Sequence, residues 1–193
     1  MTTKKTDMKN NIDNKPIFSF FKAPVTNTTP YKSITLNDAF NVITGEYCKP
    51  QTHLLRTITD KNHNREYKAA NFPYATFSGI FETRRESSLI KHSGLIAIDF
   101  DHLDAIEETK LQLLKDPYFE PELLFISPNG NGLKWIITID IQKFSHVEYF
   151  QAIFNYIKKT YSIEIDKACK DVSRATFLSY DPSAFIHPKH LVQ

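Results

Sequence analysis

Asp99 and Asp101 stand one residue apart at the end of an almost wholly apolar run, residues 94–100, in a chain of 193 residues. If that run is a strand, side chains at i and i+2 leave it on the same face, so the two carboxylates converge on one point. Two like charges held together out of water are costly unless a cation sits between them, and an all-oxygen site suits Mg²⁺ or Mn²⁺. The plain alternative is an Asp pair that only begins a loop, with His102 and Asp104 solvated or capping behind it.

A second candidate is SPNGNGLKW, where Gly130 and Gly132 are two of only five glycines in the chain. Clustered glycines let backbone N–H groups line up into a concave donor surface for phosphate. Ser127 offers a hydroxyl before the turn, and Lys134 an ammonium after it. An ordinary hairpin with a surface lysine uses the same residues. The third candidate is the polar stretch 165–174, in which Asp166 could add a carboxylate while Lys167, Lys170 and Arg174 supply cations for phosphate. Asp171 is placed to partner Arg174, and Cys169 reads as a small packed residue. His146 and His187 have no metal-ligand spacing and read as structural or surface groups.

The elements that must position these groups follow from periodicity. Residues 75–81 and 94–100 read as strands, the second apolar enough to be buried on both faces. Strands at 123–126 and 133–139 flank the Gly-rich turn, and short ones are expected at 163–165 and 176–179. A short helical pattern spans 36–43, and residues 60–70 suit an exposed helix. Asp104 with Glu107 caps a helix over 105–115. Ser145 with Glu148 makes a capping box for a helix over 146–161, whose buried stripe is Val147, Phe150, Phe154, Ile157 and Tyr161. Strand pairs mixed with crossover helices indicate an α/β or α+β fold with a mixed sheet. The Lys-, Asn-, Thr- and Pro-rich residues 1–30 read as a flexible N-terminal arm with one apolar knot at Ile17, Phe18, Phe20 and Phe21, leaving residues 31–193 as one domain.

Composition narrows the classes. At 41% hydrophobic and 24% charged residues, there is enough apolar side chain for a core. No apolar run approaches the ~20 residues that span a bilayer, and the first 25 residues lack the apolar core of a secretory signal. Two distant cysteines make neither a disulfide scaffold nor a four-ligand zinc site, so a reducing cytoplasm is the expected location. Net charge is only +2, but residues 95–126 carry eight acidic groups against two basic, between segments with basic excess. That pattern suits a carboxylate centre set within a phosphate-binding surface.

The ordered set LIAIDFD, FISPNGNGLKW and a hydrophobic residue before Asp166, followed by Arg174 and SYDP, resembles the archaeo-eukaryotic primase (prim-pol) superfamily over residues 75–185. More narrowly it is similar to the VirE N-terminal-like primase domains of Bacteroidetes genomes and mobile elements. The resemblance implies a primase-polymerase-like mixed β-sheet with packed helices and an RRM-like catalytic half. It implies Asp99, Asp101 and Asp166 as catalytic metal ligands for Mg²⁺ or Mn²⁺, and the turn from Ser127 to Lys134 as the nucleotide phosphate contact. Lys134 stands where many members carry a His, and it cannot act as the same hydrogen-bond acceptor, although it remains a good point charge for phosphate.

The function so implied is template-directed nucleotidyl transfer in DNA replication or mobilisation of a mobile element, with two metal ions. Ser127, Gly130, Gly132, Lys134 and Arg174 would hold the nucleoside triphosphate. Lys170, Arg84 and Arg85 would contact single-stranded DNA or primer-template. No Walker-type motif occurs, so a separate helicase would supply unwinding. Loss of any one carboxylate is expected to stop transfer and leave folding intact. The rival from another class is a non-catalytic single-strand-binding module serving a helicase or mobilisation protein. A third is a metal-dependent phosphatase or nuclease built on IAIDFDH.

Overall fold

The computed structural model describes residues 15–191. In chain order they form β1 (Ile17–Phe21), β2 (Lys32–Thr35), α1 (Leu36–Thr44), α2 (Lys49–Thr57), α3 (Lys61–Asn71), β3 (Tyr74–Thr76), β4 (Gly79–Phe81), β5 (Leu89–His92), β6 (Leu95–Phe100), α4 (Ile106–Leu114), β7 (Pro121–Ile126), β8 (Leu133–Thr138), α5 (His146–Tyr161), β9 (Thr176–Phe177) and β10 (Phe185–Ile186). The combination of helices and sheets is the expected one. Every strand pairing among the described residues is antiparallel, however, so the expected mixed sheet is instead two four-stranded antiparallel sheets and a small hairpin.

The first sheet has the order β2-β1-β3-β9, the second β10-β7-β8-β6, and β4 pairs with β5. Strand alternation sorts the second sheet into two faces. Leu95, Ala97, Leu123, Phe125 and Ile136 point inward onto Phe18 and Phe20 of β1 and onto Leu36, Ala39 and Ile43 of α1. Ile96, Ile98, Phe100, Leu124, Trp135 and Ile137 point the other way and pack beneath Leu113 of α4 and Phe150, Ile153 and Ile157 of α5. β6 is therefore buried along its whole length, as its apolar run required.

Residues 17–21 correct the expected arm. The apolar knot is not a docked tail but β1, an interior strand of the first sheet bonded to both β2 and β3. Its five residues alternate too little to look like a half-exposed strand, and burial on both sides explains why. Residues 22–30 are tied down as well, with the Val25 amide donating to Ala69 O at 2.7 Å and the Tyr74 hydroxyl donating to Asn27 O; residues 1–14 lie outside the described residues.

Local signals held where side chains close on the backbone. Thr35 and Asp38 form a capping box for α1, and Ser145 and Glu148 form the expected one for α5. Asp104 does not cap α4; the cap residue is Ala105, which makes no side-chain bond there. The stripe of α5 is also rotated from the expected one. Val147 is 53% exposed, and Ile153 takes the central buried place. The expected strand at 163–165 is absent: that segment runs along the open edge of β6, where the Asp166 amide donates to the Asp99 carbonyl at 3.1 Å.

At the C-terminal end, Glu122 of β7 is a buried anchor. It accepts from Thr138 Oγ1 at 2.6 Å and from Lys189 Nζ at 2.6 Å, and His190 Nε2 lies 2.5 Å from its other oxygen. Burial alone would raise its pKa, but the bonds from His190, Lys189 and Thr138 outweigh this and hold it at about 2, below the usual 4.5. A carboxyl whose folded pKa is depressed stabilises the fold above the unfolded value, and that contribution is lost as pH falls through the folded one. Melting temperature followed by circular dichroism should therefore decline between pH 4.5 and 2. Glu122→Gln should start lower at neutral pH and decline less over that window.

Candidate functional site

The inner face of the second sheet changes character at one end. Asp99 follows Leu95 and Ala97 on that face, and Lys134 precedes Ile136, so alternation sends both charged side chains toward the inner core. They are direct partners in the β6/β8 register. Lys134 Nζ lies 2.7 Å from Asp99 Oδ2, with Asp99 2% and Lys134 7% exposed.

A second pair joins them from the segment after α5. Asp166 caps the 3-10 turn Lys167–Lys170 by accepting from the Ala168 amide at 2.9 Å. Arg174 Nη2 lies 2.5 Å from Asp166 Oδ2 and 3.6 Å from Asp99 Oδ2. Burial disfavours the guanidinium charge, but Asp99 and Asp166 outweigh it and hold the Arg174 pKa above its ordinary value. Two carboxylates and two cations thus form a charge-balanced quartet. Cys169 lies beside it, and burial, reinforced by Asp99, pushes its thiol pKa up and keeps it protonated.

The ligand atoms of Asp99, Asp166 and Cys169 fall within 4.8 Å of one another, a group to which Asp101 does not belong. A protonated thiol is a poor ligand for a hard ion. Asp99 Oδ1 is buried with no hydrogen-bond partner among the described residues, and the exposed carboxylate of Asp101 lines the same cleft, so oxygen donors for a divalent ion are available there. Asp166 is engaged by Arg174.

Above this floor opens a cleft of about 1170 Å³ with seven cationic side chains on its walls against three carboxylates, Asp99, Asp101 and Asp171. Such an excess within low-dielectric walls concentrates anions. Lys134 and Arg174 are at the floor, Arg84 is on one wall, and Arg56 of α2 with Lys61, Arg65 and Lys68 of α3 form another.

The Gly-rich turn serves the cleft differently from the expectation. Gly130 adopts φ +81°, which favours glycine, and its amide donates to the Ser127 carbonyl at 2.9 Å, so it is used inside the turn. A Cβ on Gly132 would run into the Phe100 carbonyl, so glycine there lets the turn close against the end of β6. Ser127 is buried beneath the turn and, like both glycines, is not on the cleft wall. The turn contributes Asn129 and Asn131 instead. It is braced by Arg56, which donates to Pro128 O at 3.2 Å and Ser127 O at 3.3 Å, and by the Leu103 amide, which donates to Asn131 O at 2.9 Å.

Of the expected site residues, the structure brings Asp99, Asp101, Lys134, Arg174 and Arg84 to one cleft. Asp166 meets it through Arg174. Lys170 and Arg85 are exposed away from it. Asp171 does not bond the Arg174 side chain; it accepts from the Ser173 amide at 2.8 Å and the Ser173 hydroxyl at 2.9 Å. The cations of α2 and α3 were missed, although Lys61, Arg65 and Lys68 stand at i, i+4 and i+7, a spacing that places them on one helical face.

Two antiparallel sheets covered by helices, with an anion-attracting cleft over a buried carboxylate and ammonium, define an α/β domain built around one charged site. Residues 66–185 match the family model described as BT4734-like, N-terminal domain, and the chain belongs to that family. The matched stretch holds Asp99, Asp101, Lys134, Asp166 and Arg174, while Arg56, Lys61 and Arg65 precede it. Neither a curated protein nor a solved structure matches the chain.

The buried pair leads to a prediction that differs from the expectation that any carboxylate can be removed with folding intact. Removing one partner of a buried ion pair strands the other and costs about 3–5 kcal/mol. Chemical denaturation of Asp99→Ala should show a loss of that order. Asp101→Ala, at an exposed position, should stay within about 0.5 kcal/mol of the unaltered chain.

Proposed function

We propose that the domain is a primase-polymerase-type nucleotidyl transferase acting on a single-stranded template, with Mg²⁺ or Mn²⁺ as cofactor. The observation that carries this reading is the convergence of seven cationic side chains on one cleft that also carries Asp99 and Asp101. A cleft that attracts phosphate and ends on carboxylates is what phosphoryl transfer asks of a protein, because the work is mostly positioning and charge neutralisation. Lys134 and Arg174 would turn from Asp99 and Asp166 toward the triphosphate of the incoming nucleotide, and Arg84 would meet phosphate from the wall. Asp99 Oδ1 and Asp101 would hold a divalent ion, which supplies a lowered pKa for the attacking 3′ hydroxyl and neutralises the leaving pyrophosphate. Asp166 would keep Arg174 in place and join the ligand set when Arg174 moves.

A second reading is favoured by the quartet itself. Lys134 and Arg174 already balance Asp99 and Asp166, so the floor is stable with no added cation. In that case the domain binds a single strand without chemistry, as a module for a helicase or mobilisation protein. Among the described residues no helix is long and apolar enough to cross a membrane.

Incorporation of labelled nucleotide on a single-stranded template, with Mn²⁺ or Mg²⁺, separates the two readings. Asp101→Asn should reduce incorporation by at least the roughly 10- to 100-fold that loss of a supporting group at a metal site costs, with unchanged melting temperature. Incorporation equal to that of the unaltered chain would remove Asp101 from the chemistry. No incorporation by the unaltered chain, with metal-independent strand binding retained, would establish the binding module.

A further inference from the structure

The floor accounts for only part of the cleft. At about 1170 Å³ it exceeds the roughly 300–1,000 Å³ typical of a small-molecule site. One wall is α3, and that helix contributes no buried residue to the core. Core packing therefore does not explain its composition.

Lys61, Arg65 and Lys68 all face the cleft, and among the described residues none has a carboxylate within 4.0 Å. Like charges at this spacing on a helix repel by a few tenths of a kcal/mol per pair. Lys68 is half-buried, and burial together with Lys134 lowers its pKa, against the pull of Asp101 and Asp99. A partly desolvated ammonium beside another cation is a place where a bound anion would relieve repulsion. Arg84, also on the cleft, has its Nε buried without a hydrogen-bond partner among the described residues. Lys68 Nζ also sits 5.9 Å from the ring of Phe177, the aromatic side chain on the cleft wall. The helix is held firmly enough to present this face: Asp60 caps it by accepting from the His63 amide at 2.8 Å, and Asn64 Nδ2 donates to Leu55 O at 3.1 Å and Ile58 O at 3.3 Å.

We propose that the face of α3 bearing Lys61, Arg65 and Lys68, together with Phe177, is a track for single-stranded nucleic acid that leads the strand to the floor at Asp99 and Asp101. The proposal rests on the nucleic-acid reading of the cleft and adds where the strand lies. At about 1.5 Å rise per residue the three cations span about 10 Å, which at about 3.4 Å per nucleotide is three phosphate-to-phosphate steps of a stacked strand, enough for each cation to meet its own phosphate. Phe177 supplies the ring on which a base can stack without regard to sequence.

The test is binding of the full chain to a labelled oligothymidylate, measured by fluorescence anisotropy over a range of salt concentrations with a chelator present. A Lys61→Ala, Arg65→Ala, Lys68→Ala variant should bind more weakly, with the slope of log K against log salt smaller by about 2, since each phosphate contact on a single strand contributes about 0.7. A control variant with Lys91→Ala, Lys115→Ala and Lys159→Ala, three exposed positions off the cleft, should keep the original slope. Phe177→Leu should weaken binding by about 5-fold or more through lost stacking, with the slope unchanged. Circular dichroism melts establish that each variant is folded. An unchanged slope in the α3 variant, or an equal reduction in the control, would overturn the track; unchanged affinity in Phe177→Leu would overturn its stacking part. These readouts need neither metal nor transfer. Strand binding through α3 without nucleotide incorporation would therefore overturn the transferase reading and leave the track standing.

Discussion

Asp99 and Lys134 face each other across two neighbouring strands on a surface that is otherwise hydrocarbon. Neither charge is stable there alone, because burying an isolated ion in a low-dielectric core costs several kcal/mol even after relaxation. Together, and with Arg174 from the segment after α5, they turn the end of a strand pair into a charged floor. The cleft exists because the inner core stops at this pair, and its walls are the elements that the core leaves behind.

The constraint propagates outward in steps. The antiparallel register of β6 and β8 sets which residue Asp99 meets, and the turn between β7 and β8 is tied to the segment just after β6 by the Leu103 amide. Gly132 permits the turn to close on Phe100, and Arg56 of α2 ties the same turn to the helical wall. The open edge of β6 then receives the segment carrying Asp166, which orients Arg174. Site and scaffold are thus one network: Lys134 and Arg174, the groups that would meet phosphate, also neutralise Asp99 and Asp166.

This coupling bears on how carboxylates at such a site divide their tasks. Asp99 is structural as well as chemical, since its Oδ2 completes a buried pair and its Oδ1 is left over. Asp101, two residues on and past the end of the strand, has no such duty, and it is exposed to whatever enters the cleft. Asp166 serves Arg174 first. A ligand set that looks symmetrical in a motif is therefore graded by burial, from a group that the fold needs to one that the fold would not miss.

Much of the local architecture was legible in the sequence. The apolar run of β6, the capping box of Ser145 and Glu148, and the turn formers between β7 and β8 all depend on neighbours within a few residues, where backbone geometry leaves little choice. The interior place of β1, the choice of Lys134 as the partner of Asp99, the withdrawal of Ser127 and Gly130 from the cleft and the recruitment of α3 to its wall were decided by tertiary structure. Each joins segments far apart in the chain, and the strength of a charge pair or the direction of an amide is set by what burial brings beside it, which residue spacing does not encode.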